Sequence, residues 1–164
     1  LLEAFNGLPA EHAERELLAC CAAPAWAAAV AAGRPYPSTA ALLAAADAAA
    51  RDLSWADVEQ ALAAHPRIGE RPAGDSREAA WSRREQGAAD AGAAMAAALA
   101  EANRAYEEKF GRVFLIFASG RTADELLAAA RERLGNDERT ERAVVAGELR
   151  KIALLRLERL IDER

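Results

Sequence analysis

Histidine, cysteine, methionine and aromatic residues are all scarce in this chain of 164 residues: two histidines, two cysteines, one methionine and 5% aromatic side chains. His12, His65 and the vicinal pair Cys20-Cys21 offer none of the usual ligand spacings, so no metal centre can be built from them. A glycine-rich phosphate loop and a Gly-x-Ser-x-Gly elbow are missing as well. No apolar run reaches the ~18 residues of a membrane span. The opening stretch Leu1-Leu2-Glu3-Ala4-Phe5-Asn6-Gly7 has neither a basic region nor an extended apolar one, so no signal peptide is expected, and the lack of an initiator methionine suggests trimming there. Basic charge is in deficit too. The formal charge of −5 opposes nucleic-acid binding, which calls for a basic patch. It leaves room for a small anionic substrate held by one arginine. Adjacent cysteines on a helix point in different directions, so Cys20 and Cys21 are expected to be two small buried residues, which fits a reducing cytoplasm.

Apolar residues form 52% of the chain, much of that alanine, and charged residues interleave with them at 29%. Alanine is the best helix former and lets helices pack closely. The expectation is an all-α, multi-helix bundle forming one domain over residues 1–164. Helices are expected from Pro9 to about Cys21 and from Pro24 to Gly33, then an extended Arg34-Pro35-Tyr36-Pro37 connector. Ser38 should cap a helix reaching about Arg51. Ser54, with Asp57 closing a box, should cap another that stops at His65-Pro66. Arg67 to Ser76 is the longest irregular segment, and long loops in compact domains are often functional. One long helix is expected from about Ser82 to Phe110, closed by Gly111. The most hydrophobic run, Val113 to Ala118, has no second strand-like run to pair with, so it should be buried, extended or turn-like, and outside any sheet. Thr122 and Glu125 should box the start of a helix ending near Gly135. Asn136 or Asp137 should open the last one, which runs almost to Arg164.

Four places could carry chemistry. His65 precedes Pro66, which biases it out of the α region at the mouth of a loop, and imidazole exchanges protons near neutral pH; the other reading of His65 is a residue capping the C-terminus of the helix before it. Ser82-Arg83-Arg84-Glu85-Gln86 reads as a capping box at a helix start, where outward-pointing amides can also receive an anionic or carbonyl ligand. On the last helix Val145, Leu149, Ile152, Ala153 and Leu160 fall on one side, and Arg156 falls near the centre of that stripe. A permanently charged side chain there needs a carboxylate or a ligand, unless it snorkels to solvent; Glu85 is the internal candidate. The Phe114-Leu115-Ile116-Phe117-Ala118 backbone, if extended without a ladder, must find other hydrogen-bond partners. His12, among Glu11, Glu14 and Glu16, reads as a surface residue.

His65-Pro66-Arg67-Ile68-Gly69, Ser82-x-x-Glu85-Gln86, Asn103-x-x-Tyr106-Glu107-x-Lys109-Phe110-Gly111 and Phe114-x-Ile116-x-Ala118-x-Gly120-Arg121 closely resemble the OHCU decarboxylase family. So do Phe5-Asn6-x-Leu8-Pro9 and Glu148-Leu149-x-Lys151-Ile152-x-x-x-Arg156-Leu157, which extends the likeness over nearly the whole chain. The family acts on 2-oxo-4-hydroxy-4-carboxy-5-ureidoimidazoline, the last step from urate to (S)-allantoin. The resemblance implies an all-helical enzyme without cofactor, usually a homodimer. It puts the catalytic pair on His65 and Glu85, substrate binding on Pro66, on Ser82, Arg83, Arg84, Glu85 and Gln86, on the backbone of Phe114 to Ala118, and on Arg156.

The implied chemistry needs no cofactor, because the ring carbon that loses CO2 adjoins a C=N carbon and the substrate carries its own electron sink. The enzyme would hold the carboxylate out of the ring plane and deliver a proton to one face. A carboxylate beside an imidazole favours the protonated ring. His65 would then either take the substrate hydroxyl proton first or only deliver one to carbon. Arg156 would hold the ureido carbonyl, the charge entering the ring, or the carboxylate. Two other classes fit the residues: a non-catalytic helical module with His65 in solvent and Ser82–Glu85 as a mere cap, and a hydrolase or lyase for another ureido compound.

Overall fold

A computed structural model of the chain describes residues 1–68, 77–86 and 92–163. Its described residues form helices and connectors without a strand. The helices are α1 (Leu2–Asn6), α2 (Ala10–Cys20), α3 (Pro24–Ala32), α4 (Thr39–Arg51), α5 (Trp55–Leu62), α6 (Arg77–Gln86), α7 (Ala93–Phe110), α8 (Ala123–Arg133) and α9 (Glu138–Asp162). They fall into two compact units, Leu1–Ala64 with Leu149–Arg164, and His65–Glu148. The irregular loop expected from Arg67 to Ser76 lies outside the described residues beyond Ile68.

In the first unit Phe5, Leu17, Trp26, Leu42, Leu157 and Leu160 have no exposed surface. Pro24 occupies the first turn of α3, where its missing N–H costs nothing. The Trp26 indole donates to the Ala46 carbonyl at 3.0 Å, so the buried ring keeps its polar end satisfied. The connector after α3 is fastened by side chains. Asn6 exchanges two hydrogen bonds with the Tyr36 backbone, at 3.0 and 2.9 Å, and Arg34 donates to the carbonyls of Phe5 and Leu8 at 2.9 and 2.7 Å. The Tyr36 hydroxyl, donating to the Val30 carbonyl, lies 2.2 Å from where a Cβ on residue 33 would be, so Gly33 is required by close approach. Ser38 accepts from the Ala41 amide to cap α4, and Ser54 with Asp57 completes a capping box on α5, both as the sequence indicates. Cys20 and Cys21 are buried and unbridged, and His12 is exposed.

In the second unit Ile68, Leu99, Ala102, Tyr106, Phe110, Phe114, Ile116, Ala118, Leu126 and Ala130 belong to one apolar cluster. Gly111 closes α7 in the left-handed region at φ 70°, which glycine adopts without a Cβ penalty. Thr122 and Glu125 box the start of α8. Asp137 accepts from the Thr140 amide at 2.7 Å ahead of α9.

The single helix expected from Ser82 to Phe110 is not formed. Instead α6 ends at Gln86, and α7 starts after Gly92, which is exposed and extended at φ −65°, ψ 174°. Ser82 is not a cap either. It is the sixth residue of α6, because Arg77-Glu78-Ala79-Ala80 are good helix formers that carry the helix back past it. A Ser-x-x-Glu spacing is ambiguous: three residues along a helix also puts both side chains on one face. Two smaller differences concern the ends. Pro9 stands just before α2 rather than within it, and a short α1 precedes it.

Candidate active site

Helix α5 ends at Leu62, and His65 and Pro66 follow in irregular chain, both half-buried. The segment is held by α7. The Asn103 side-chain amide donates to the Ile68 carbonyl at 2.6 Å, and Arg67 pairs with Glu107 at 2.7 Å. Asn103 and Glu107 are four residues apart, hence on one helical face. In the sequence both are members of one motif, with no task that spacing alone assigns to either. The available signal was an asparagine next to Ala102 and Tyr106 on a face that proved buried.

On α6 the burial pattern sorts the predicted stretch. Ala79, Trp81, Ser82 and Glu85 are buried, Arg83 and Gln86 are half-buried and Arg84 is exposed. At 100° per residue the four buried positions span less than half the helix circumference, Gln86 falls inside that arc, and Arg84 points away from it. Ser82, Glu85 and Gln86 are therefore brought together, but as side chains on the buried face and not as a helix start. The expected seat of unpaired amides at this point does not exist.

The run from Val113 to Ala118 has no helix or strand, and Phe114, Leu115, Ile116 and Ala118 are buried. Its backbone groups find side chains and a turn. Arg133 donates to the Leu115 carbonyl at 2.6 Å, the Phe117 amide donates to a Glu148 carboxylate oxygen at 3.2 Å, and the Ala118 carbonyl accepts from the Arg121 amide at 3.0 Å. The Arg133 guanidinium lies 4.5 Å from the Phe114 ring centroid, close enough for a cation–π contact. It is itself held by Glu141, whose oxygens also accept from Tyr106 and Asn136. Ile116, Arg121, Arg133 and Glu148 help line a cavity of about 390 Å³.

Arg156 is 3% exposed on α9, and Val145, Leu149, Ile152, Ala153 and Leu160 are buried as the helical stripe requires. Its charge reaches Cys21: burial pushes that thiol up to about 11, against a backbone hydrogen bond and the nearby guanidinium, which pull it down. On the face opposite the stripe Lys151 and Glu158 are exposed, whereas Arg150 is half-buried and pairs with Asp47 at 2.9 Å.

The sequence model of OHCU decarboxylase matches residues 6–158. The chain belongs to the OHCU decarboxylase family. Among curated relatives, it is 36% identical over 144 residues to the 2-oxo-4-hydroxy-4-carboxy-5-ureidoimidazoline decarboxylase of Amia calva, covering 85% of this chain and 81% of that protein. It is 33% identical over 158 residues to the uric acid degradation bifunctional protein TTL of Arabidopsis thaliana, covering 94% of this chain and about half, 49%, of that one. Among solved structures, an OHCU decarboxylase crystallised in the presence of (S)-allantoin superposes with a TM-score of 0.78 at 31% identity, over 90% of this chain and 97% of that one. An (S)-allantoin synthase superposes at 0.72 over 97% of this chain and 53% of that one, and at 19% identity it speaks for the fold alone. The all-helical architecture is thus the family's own. Among the described residues, no helix is long and apolar enough to cross a membrane.

Proposed function

We propose that this chain decarboxylates 2-oxo-4-hydroxy-4-carboxy-5-ureidoimidazoline to (S)-allantoin and CO2, as a carboxy-lyase of urate degradation. The observation that carries the reading is the family match over residues 6–158, joined to a 0.78 superposition on a family member crystallised with the product. The electrons of the breaking C–CO2 bond pass into the adjoining C=N, leaving a carbon–carbon double bond that bears the hydroxyl. That hydroxyl then becomes the ring carbonyl, and the neighbouring carbon, which carries the ureido group, takes a proton on one face. His65 moves the proton and Glu85 keeps its imidazole charged and oriented. Pro66 shapes the approach to that imidazole. Ser82, Arg83, Arg84 and Gln86, the backbone of Phe114 to Ala118, and Arg156 bind the substrate. In this set Arg84, exposed on α6, rests on the family resemblance alone. The reading further includes one functional domain over residues 1–164, a homodimer, a cytoplasmic location and no cofactor.

A non-catalytic helical module is disfavoured by a specific observation. It needs Ser82–Glu85 to be a helix cap and His65 to stand in solvent, whereas both α6 residues are buried within a helix that starts at Arg77, and His65 is half-buried. The test is product analysis: urate, urate oxidase and the preceding hydrolase, with and without this protein, followed by circular dichroism. Faster appearance of the (S)-allantoin signal, with CO2 released in equal amount, is expected. Racemic allantoin forming at the uncatalysed rate would reject the assignment.

A further inference from the structure

Glu148 stands in the C-terminal motif that also contains Arg156, yet the reaction as outlined gives it no task. It is 7% exposed, and its carboxylate accepts from the Phe117 amide inside the run assigned to substrate binding. Two positions earlier, Arg133 takes the Leu115 carbonyl. In extended backbone the polar groups of residues two apart leave on the same edge, and those of the residue between them leave on the other. A pair of charged side chains at 115 and 117 therefore decides which edge of the run is used up and which is left. The turn beyond it, with Gly120 at φ 78° and the Ala118 carbonyl bonded to the Arg121 amide, fixes the far end. Burying a carboxylate for this purpose costs desolvation that an apolar residue would avoid.

We propose that Glu148 is a positioning residue for the decarboxylation, with Arg133 as its counterpart: together they turn Phe117 and Leu115 toward themselves so that the Ile116 and Ala118 amides face the substrate. The proposal rests on the functional reading above. Because such backbone contacts hold the ring before and during CO2 loss alike, their loss raises KM more than it lowers kcat. A Glu148 that only satisfied a buried amide would change the melting temperature and leave the KM of the folded enzyme alone.

The experiment is steady-state decarboxylation kinetics with thermal melting for wild type, Glu148→Leu, Glu148→Asp and Glu148→Gln. Glu148→Leu removes the acceptor and should raise KM about tenfold with kcat within about twofold. Glu148→Asp draws the acceptor back by one methylene and should raise KM by a smaller factor, which keeps the test open should the leucine variant not fold. Glu148→Gln retains an acceptor oxygen and should restore most of the wild-type KM. Folded leucine and aspartate variants with wild-type KM would overturn this inference while leaving the decarboxylase reading intact. A wild-type protein that does not turn over the ureidoimidazoline would overturn both.

Discussion

Glu141 has no exposed surface, and burial alone would lift its carboxyl above the ordinary range. Hydrogen bonds from Arg133, Tyr106 and Asn136 and the Arg133 charge outweigh that and hold it below. The same carboxylate, after burial itself, pushes the Tyr106 hydroxyl up to about 12, so tyrosine donates and glutamate accepts across the whole neutral range. Removing one member should be far worse than its surface area suggests. Arg133→Met leaves a buried negative charge with too few donors and should cost about 3–5 kcal/mol in urea denaturation; a loss below 1 kcal/mol would mean the charge is not held as described. Catalysis gives a contrasting residue-scale expectation. His65→Asn keeps reach and polarity but loses the titrating proton, so single-turnover allantoin formation should fall by ~10²–10⁴-fold with melting nearly unchanged. On the role proposed for Glu85, Glu85→Gln should cost less, since the ring that moves the proton survives. Near-normal turnover by folded His65→Asn would remove His65 from the proton path.

Helix ends were the most legible elements, because capping is written in contiguous residues. Ser38, Ser54 with Asp57, Thr122 with Glu125, and Gly111 were read from sequence and stand where read. The misreading of Ser82 has the same origin: Ser-x-x-Glu is a box only if the residue before it is non-helical, which sequence spacing does not tell. The two kinds of site separate by mutation. Thr122→Ala should destabilise by about 1 kcal/mol through the lost cap. Gly111→Ala should cost about 1–2 kcal/mol from φ alone, as no atom lies within 4 Å of the added Cβ. Ser82→Ala should not expose the amides that a Ser82 cap would hold, those of Arg84 and Glu85, because both lie inside α6, so their exchange should not quicken; a faster rate there would restore the capping reading. Arg156 was legible from helical periodicity alone, whereas Arg133 and Glu141, eight apart on two helices, were not. Their pairing depends on the turn through Gly135 and Asn136 that returns the chain, a tertiary fact without a local signature.

At the scale of the whole molecule the pH dependence of stability follows from groups already named, and its two limbs have opposite signs. Glu141 has a folded pKa below the ordinary 4.5, so it contributes stability above that value, which is lost as pH falls through the depressed one. Asp47, bonded by Arg51 and Arg150, and Asp137, bonded by Thr140, are lowered from 3.8 and act in the same direction, though half-buried Asp47 and exposed Asp137 are both screened by solvent and add little. Cys21 runs the other way. Raised from 9.0 to about 11, it contributes stability below pH 9 that is lost as pH rises through 11, and Tyr106 repeats this between 10.0 and about 12. The curve should therefore be flat from mildly acidic to mildly alkaline pH and fall on both sides. Tyr106→Phe distinguishes this from general acid and base denaturation. It should lower the plateau by about 1–3 kcal/mol, since Glu141 loses a buried donor. It should also move the acid limb to higher pH, because that donor helped to depress Glu141. On the alkaline side the gap between wild type and variant should narrow as pH climbs from 10 to 12, because only wild type has a phenol to ionise on unfolding. Urea midpoints for both proteins at pH values from 3 to 12 supply the comparison. A gap that stayed constant through the alkaline range would show that Tyr106 ionises as easily in the folded chain as in the unfolded one, and that its bond to Glu141 does not govern the molecule's alkaline limit.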